Sequence, residues 1–223
     1  MAILPNEYNI DLQAVLTEEQ HQTKILELWA TESLTSDRFY QTGYETILYN
    51  EGLSFAIETV LTSVMLWDKE LLIIGSAEES NKVKMLAKSH SIDGHILSGA
   101  DITGLKTASI LKFFPQISHV LINIDSSEYL QSPNFKEVVQ AAVNTGRDII
   151  VTSTSQFTKL TDWFRNIVSF TVGHLDNIDK KSFVIARRNK LVQTEGNARS
   201  SRHDLYGYWQ WSMRNRTSVI EPM

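Results

Sequence analysis

Two histidines on either side of a carboxylate are the first residues whose types could do chemistry. His90 and His95 flank Asp93, and imidazole and carboxylate groups are ligands that zinc and related ions accept. Their spacing matches no known metal-binding motif. The three residues are therefore predicted to form a surface turn, and no metal site is expected.

The sequence lacks the motifs of nucleophilic catalysis and of dinucleotide binding. Ser126–Glu128 and His119 supply the residue types of a hydrolase, but no G-x-S-x-G turn is present to expose the serine. Gly94 and Gly99 do not form the G-x-G-x-x-G turn that holds a dinucleotide. The chain has no cysteine, which excludes disulfides, thiolate catalysis and cysteine-ligated metal.

Composition and charge limit the kinds of partner and the cellular location that we expect for the chain. The 223 residues carry a formal net charge of −5, so no overall basic field attracts nucleic acid or an anionic membrane. The most apolar stretch, Leu53–Trp67, contains Glu58 and is too short to cross a bilayer. With no secretory signal pattern at the start, we expect a cytoplasmic protein. A late basic patch is expected to be a solvated face, and it comprises Arg187, Arg188, Lys190, Arg199, Arg202, Arg214 and Arg216.

The elements that must position any site alternate between strands and helices. Runs rich in Ile, Val and Leu predict strands at 70–75, 119–124, 148–152, 167–172 and 182–187. Amphipathic segments predict helices at 17–31, 53–66, 79–89 and 133–145. The gap between the last two strands is too short for a helical crossover, so that pair is predicted to be antiparallel. The sequence thus predicts one α/β domain over residues 1–223, with three α/β/α layers around a mixed, mostly parallel sheet.

Three segments, in the expected order, resemble the large domain of the 2-aminoethylphosphonate–pyruvate aminotransferases, a class V, fold type I family that depends on pyridoxal phosphate. Residues 44–58 are similar to the family's phosphate-loop segment and the helix after it. Residues 117–133 resemble the next strand and loop. The most specific match combines Phe183–Arg188 with Gly196–Ser200, Asp204–Tyr206 and Trp209. The resemblance implies the fold of these enzymes over roughly residues 40–218.

The residues at the family's two catalytic positions differ from those that the chemistry needs. A lysine must form the imine with the cofactor, and a carboxylate must keep the pyridine nitrogen protonated. Counted back from Phe183–Arg188 without a gap, the lysine position falls on Gly173. The segment Val151–Phe157 resembles the family's aspartate-bearing strand end, which puts the aspartate position on Thr152. The nearest lysines, Lys180 and Lys181, are interpreted as a solvated turn.

The phosphate-binding part of the family pattern is better preserved. Gly52 and Ser54 remain at the start of the helix that would hold the phosphate, although Glu51 adds an opposing negative charge. The segment Gly75–Asn81 lacks the ring-stacking aromatic residue of the family. The family's small C-terminal domain is expected to be absent. Gly52, Ser54 and Thr152 are therefore interpreted as vestigial cofactor-binding positions.

Three hypotheses follow. The first is a degenerate, non-catalytic relative that acts as a binding or assembly partner and carries no cofactor. The second is a pyridoxal-phosphate-dependent aminotransferase acting on 2-aminoethylphosphonate or a similar amine, if the lysine lies in another register. The third is a cofactor-independent enzyme that uses the altered cleft. A homodimer is expected, with the helix at Leu53–Trp67 and an aromatic set as shared surfaces: Tyr206, Tyr208, Trp209 and Trp211.

Overall fold

A computed structural model of the chain describes residues 43–124, 133–153, 166–174 and 182–217. The strands, in chain order β1 to β7, are Tyr44–Tyr49, Glu70–Gly75, Gly94–Ser98, Ile117–Ile124, Asp148–Ser153, Phe170–His174 and Ser182–Arg187. The helices, in chain order α1 to α6, are Leu53–Val64, Ala77–Ser89, Gly104–Phe113, Pro133–Asn144, Arg188–Val192 and Leu205–Thr217. Short 3-10 turns lie at Gly99–Asp101 and Ser201–His203.

The strands form one seven-stranded sheet in the order β1-β7-β6-β5-β4-β2-β3. β3, β2, β4, β5 and β6 run parallel to one another, whereas β7 is antiparallel to both β6 and β1. The prediction of a mixed, mostly parallel sheet with an antiparallel last pair is confirmed. The predicted helix at 17–31 lies outside the described residues.

Helices cover both faces of the sheet and give the three predicted layers. On one face, α3 and α4 pack on a core that includes Leu72, Val120, Val151 and Phe183. On the other face, α1, α2, α5 and α6 pack on a core that includes Ile73, Leu121, Ile150 and Val172. Side chains alternate between faces along a strand, which explains why neighbouring residues belong to different cores. We call the second face the α1 face.

Side-chain capping and charge explain where α2 begins. Ser76 caps α2 by accepting a hydrogen bond from the Glu79 amide, and the acidic residues Glu78 and Glu79 lie in its first turn. Both pair with Lys82, at 2.9 and 2.7 Å. In the part of the chain that the structure describes, no helix is long and apolar enough to cross a membrane.

Candidate functional site

The start of α1 lies at the carboxyl edge of the sheet. Gly52 is its N-cap, without a side-chain cap and without an acidic residue in the first turn. The Ser182 hydroxyl donates to the carbonyl oxygens of Glu51 and Gly52, at 2.7 and 3.2 Å, and so ties this turn to β7. The Phe55 amide donates to the Gly52 carbonyl at 3.0 Å, so among the described residues the first-turn amides that remain for an anion are those of Leu53 and Ser54. The exposed Glu51 carboxylate opposes an anion there.

A row of buried polar side chains lies at the same edge of the sheet, beginning two strands from β7. Thr152 at the end of β5 and Asn123 near the end of β4 are paired in register, and both are buried. A Cβ placed at Gly75 would lie 2.9 Å from Asn123 Cβ and 3.4 Å from Ser80 Oγ, so Ser80 joins the same row. Among the described residues, none of these hydroxyl and amide groups has a hydrogen-bond partner.

These groups are chemically significant because native proteins rarely leave buried polar atoms unpaired. Thr152 and Ser80 are 0% exposed and Asn123 is 2% exposed. Together they can donate and accept several hydrogen bonds to a ligand at the strand ends, but none of them carries a charge. Asn123, Ser80 and Ser182 were not identified from the sequence. The only sequence feature that marks Asn123 is one amide within the apolar run Val120–Ile124.

Gly173 lies in β6, opposite Phe183 of β7. A Cβ placed at Gly173 would lie 2.5 Å from Phe183 Cζ, so the phenyl ring fills the space that any side chain at this position would enter. Phe183 belongs to the core on the face away from α1, whereas Val172, the register partner of Thr152, belongs to the α1 face. By alternation, a side chain at position 173 would project away from Thr152 and from α1.

The end of β6 offers no imine-forming group in a neighbouring register either. Val172, Gly173 and His174 are the last three residues of the strand, and none is a lysine. Thr152, at the expected carboxylate position, is neutral and has no hydrogen-bond partner among the described residues. The described residues therefore do not fit a covalently bound pyridoxal phosphate, although the start of α1 and the polar row fit the phosphate and polar edge of a small ligand. Lys180 and Lys181 lie outside the described residues.

The metal site considered for His90, His95 and Asp93 does not assemble. His95 Nε2 lies 2.6 Å from a Glu70 oxygen, and His90 Nε2 lies 3.3 Å from a Glu58 oxygen. The two histidines thus bind different carboxylates. No group of possible ligands in the described ranges contains all three residues of the turn.

His119 lies at the opposite edge of the sheet from the candidate site. Burial lowers its pKa to about 4, and this outweighs the nearby Asp148 carboxylate, which raises the pKa, while Lys190 lowers it further. Its Nε2 is 4.0 Å from Asp148, and its Nδ1 is 2.8 Å from the Ser118 hydroxyl. His119 is thus a neutral core histidine. Ser126–Glu128, considered with it above, lie outside the described residues.

The basic patch is only partly the solvated face that the sequence predicts. Lys190 pairs with Asp148 at 2.8 Å, and Arg188 pairs with the buried Glu45 at 2.6 Å. The Arg199 guanidinium donates to four backbone carbonyls, those of Met65, Leu66, His90 and Ser91. Arg199 also lies over the Trp67 ring, at 4.3 Å from its centre. These three cations hold the fold together and are not free to recruit a partner.

The chain is similar in sequence to known transaminases. The chain is 24% identical over 219 residues to a 2-aminoethylphosphonate–pyruvate transaminase of Vibrio cholerae, covering 94% of this chain and 56% of that protein. It is 28% identical over 180 residues to the transaminase of the same name from Aeromonas hydrophila, covering 77% of this chain and 47% of that one. No protein-family model matches the chain.

Solved structures show the same fold. The pyridoxamine–pyruvate aminotransferase of Mesorhizobium loti superposes with a TM-score of 0.61 at 14% identity, covering 80% of this chain and 47% of that one. The ureidoglycine–glyoxylate aminotransferase of Bacillus subtilis superposes with a TM-score of 0.60 at 12% identity, covering 96% and 54%. The chain spans about half the length of the curated relatives it matches. The resemblance predicted from the sequence is confirmed: the chain is similar to the 2-aminoethylphosphonate–pyruvate transaminases and has the fold of the pyridoxal-phosphate-dependent aminotransferases.

Proposed function

We propose that this chain is an aminotransferase-like domain that binds a small phosphate- or phosphonate-bearing molecule without forming an imine with it. The observation that carries the proposal is the packing of Phe183 against Gly173, at the position where the related enzymes need a lysine. Binding is attributed to the start of α1 at Gly52 and Ser54 for the anionic group, and to the buried hydroxyl and amide groups beside it for the rest of the ligand.

The position of these groups in the sheet supports a single binding site. Ser182 holds Gly52 at β7, Thr152 lies on β5, and Asn123 lies on β4. Neighbouring strands lie about 4.8 Å apart, so the helix start and Thr152 are separated by about 10 Å across the sheet. A small molecule with an anionic end and a polar end can reach both.

A second candidate is transamination of 2-aminoethylphosphonate or a similar amine with pyridoxal phosphate. The relatives bear that activity in their names, and the comparisons favour this candidate more than they favour a non-catalytic role. It requires an imine-forming lysine that is not at the end of β6, and the nearest lysines in the sequence are Lys180 and Lys181. No observation singles out the third hypothesis, a cofactor-independent enzyme.

Ligand titration tests the main proposal. The full chain is titrated with inorganic phosphate, 2-aminoethylphosphonate, pyridoxal phosphate and pyridoxal, with heat release as the readout. We expect the three phosphorus-bearing compounds to bind, and pyridoxal to bind at least about tenfold more weakly, which corresponds to about 1.4 kcal/mol. Equal affinity for pyridoxal and pyridoxal phosphate, or no binding of any compound, would contradict the proposal.

A matched pair of variants locates the site. Ser54→Asp places a carboxylate in the first turn of α1, where it suits the helix but competes with a bound anion. The affinity for phosphate should fall by about tenfold or more. Ser109→Asp adds the same charge to the exposed surface of α3 and should leave the affinity unchanged. If both variants bind like the parent chain, the anion does not bind at α1.

A further inference from the structure

Three residues from separate parts of the chain meet on the outer side of α1. Glu58 lies in α1, His90 follows the last residue of α2, and His203 ends the 3-10 turn Ser201–His203. One possible ligand atom from each lies within 4.8 Å of the others. The rings of His90 and His203 are 5.3 Å apart between centres. The proposed function uses none of these three side chains.

The hydrogen bonds around His203 determine which of its nitrogens can bind a cation. The Thr59 hydroxyl donates its only proton to the Phe55 carbonyl, at 2.8 Å. At His203 Nδ1, 3.2 Å away, this hydroxyl can therefore only accept, so Nδ1 carries the ring proton. Nε2 of the neutral ring is left with a free lone pair. A bond that fixes the tautomer and orientation of a histidine is typical of the residues behind metal ligands.

The backbone at His90 is also held in place by hydrogen bonds. The Arg199 guanidinium donates to the carbonyl oxygens of His90 and Ser91, at 2.8 and 2.9 Å. His90 Nε2 lies 3.3 Å from Glu58 Oε1. Two ligand atoms on a tetrahedral zinc ion, each about 2.1 Å from the metal, are about 3.4 Å apart. The His90–Glu58 spacing thus already matches that of two ligands on one ion.

We propose that Glu58, His90 and His203 bind one Zn²⁺ or a similar divalent transition-metal ion, with a water molecule as the fourth ligand. Two imidazoles with one carboxylate suit zinc and its neighbours, whereas calcium and magnesium prefer sites made of oxygen. The ion would join α1, the end of α2 and the 3-10 turn before α6. Glu58 and His90 are about one-fifth exposed, which leaves a path for the ion and the water.

Metal titration of the untagged full chain, after removal of bound metal with a chelator, tests the proposal. Zn²⁺ binding is followed by calorimetry, and Co²⁺ is used as a visible-absorbing substitute that reports the ligand geometry. We expect one ion per chain and a Co²⁺ spectrum of low coordination number. His90→Gln should weaken binding by more than about tenfold, because it removes a ligand from a partly exposed position where the fold tolerates the change.

Two further variants test whether Zn²⁺ binding depends on the proposed ligands and on the contact between Thr59 and His203. His95→Gln removes a histidine that also pairs with a carboxylate, Glu70, but has no second histidine in its group, and it should bind Zn²⁺ like the parent chain. Thr59→Val keeps the side-chain shape but loses the acceptor at His203 Nδ1, and it should weaken binding by about 10- to 100-fold. The proposal is overturned if the chain binds no Zn²⁺, if His90→Gln binds as well as the parent, or if His95→Gln weakens binding equally.

Discussion

At the scale of single residues, the contact between Gly173 and Phe183 decides what the candidate site can do. The phenyl ring is 1% exposed and lies where a side chain at position 173 would begin. A close-packed interior has no spare volume for a lysine at this point. The glycine is thus part of a core packing arrangement and is not an open position beside a ligand.

The first prediction concerns that packing. Gly173→Lys should lower the free energy of unfolding by about 1–3 kcal/mol, because its Cβ would overlap the Phe183 ring. Adding Phe183→Leu to this variant should restore part of the lost free energy of unfolding. A double-mutant cycle in urea unfolding measures the coupling between positions 173 and 183. Gly52→Ser is the control, since that position has open space and serine is a good N-cap. A Gly173→Lys chain as stable as the parent would mean that the position opens into the site.

The sequence is informative about what is missing from the site and less informative about what it contains. Gly173 is identified by position because the Phe183–Arg188 segment is distinctive, and Thr152 because Val151–Phe157 resembles the family's segment there. Asn123 and Ser80 are not, since a single polar residue in an apolar run has no periodic pattern to mark it. The cluster of Glu58, His90 and His203 is likewise invisible in the sequence, because it joins residues up to 145 positions apart through three separate elements.

At the scale of elements, the predicted strands are confirmed where β-branched and aliphatic runs are continuous. β2 and β4 are buried on both faces, so the runs Leu71–Ile74 and Val120–Ile122 within them are continuously apolar. β3, at Gly94–Ser98, was not predicted because it is a short edge strand with a half-buried, mixed sequence. α3 was also not predicted, and its amphipathic pattern is weak, with exposed Leu105 and Phe113.

The second prediction concerns the amino edge of β4 and β5, where His119 faces Asp148, Lys190 and Ser118. Burial lowers the His119 pKa from 6.5 to about 4. As the pH falls, the His119 imidazole is therefore protonated in the unfolded chain at a higher pH than in the folded chain. The contribution of neutral His119 to stability is therefore complete above about pH 6.5 and is lost progressively toward pH 4. Burial raises the pKa of Asp148, but the hydrogen bonds from Lys190 and Ser169 and the nearby positive charges together lower it below its usual value. Asp148 therefore changes stability in the same direction.

Urea unfolding at pH 7 and pH 4.5 measures this effect. The free energy of unfolding of the parent chain should fall by about 2 kcal/mol more than that of His119→Gln over this interval. The comparison of the two chains removes the contribution of titrating groups that do not interact with His119. Asp148, whose pKa the charge of His119 lowers, contributes part of the remaining difference. Parallel pH profiles for the two chains would show that His119 is not a buried neutral histidine.

At the scale of the whole molecule, the third prediction is a homodimer. The sequence-based expectation placed Trp209 on a shared surface, but Trp209 is only 8% exposed and packs inside its own chain beside Tyr206. Trp211 is 66% exposed and lines an open cavity of about 320 Å³ with Tyr208, and Trp67 is 75% exposed. Large exposed aromatic side chains of this kind are typical of protein–protein contacts.

Light scattering at micromolar concentration should give the mass of a dimer with an interface above about 1,000 Å². Trp211→Glu should shift the chain to monomer, because it places a charge in the proposed contact. Met85→Glu, a change at another exposed apolar residue on α2, should leave the dimer intact. A parent chain that scatters as a monomer excludes the homodimer, and a Trp211→Glu chain that remains dimeric places the contact elsewhere.

The proposal that the chain binds its ligand without forming an imine is the central claim about the site, and borohydride trapping tests it most directly. The full chain is incubated with one equivalent of pyridoxal phosphate, reduced with borohydride, digested and mapped by mass spectrometry. The geometry of Gly173 and Phe183 predicts no stoichiometric adduct, only traces spread over exposed lysines such as Lys84 and Lys88. One adduct per chain on a single lysine, above all on Lys180 or Lys181, would contradict the claim and establish that the chain can bind the cofactor covalently.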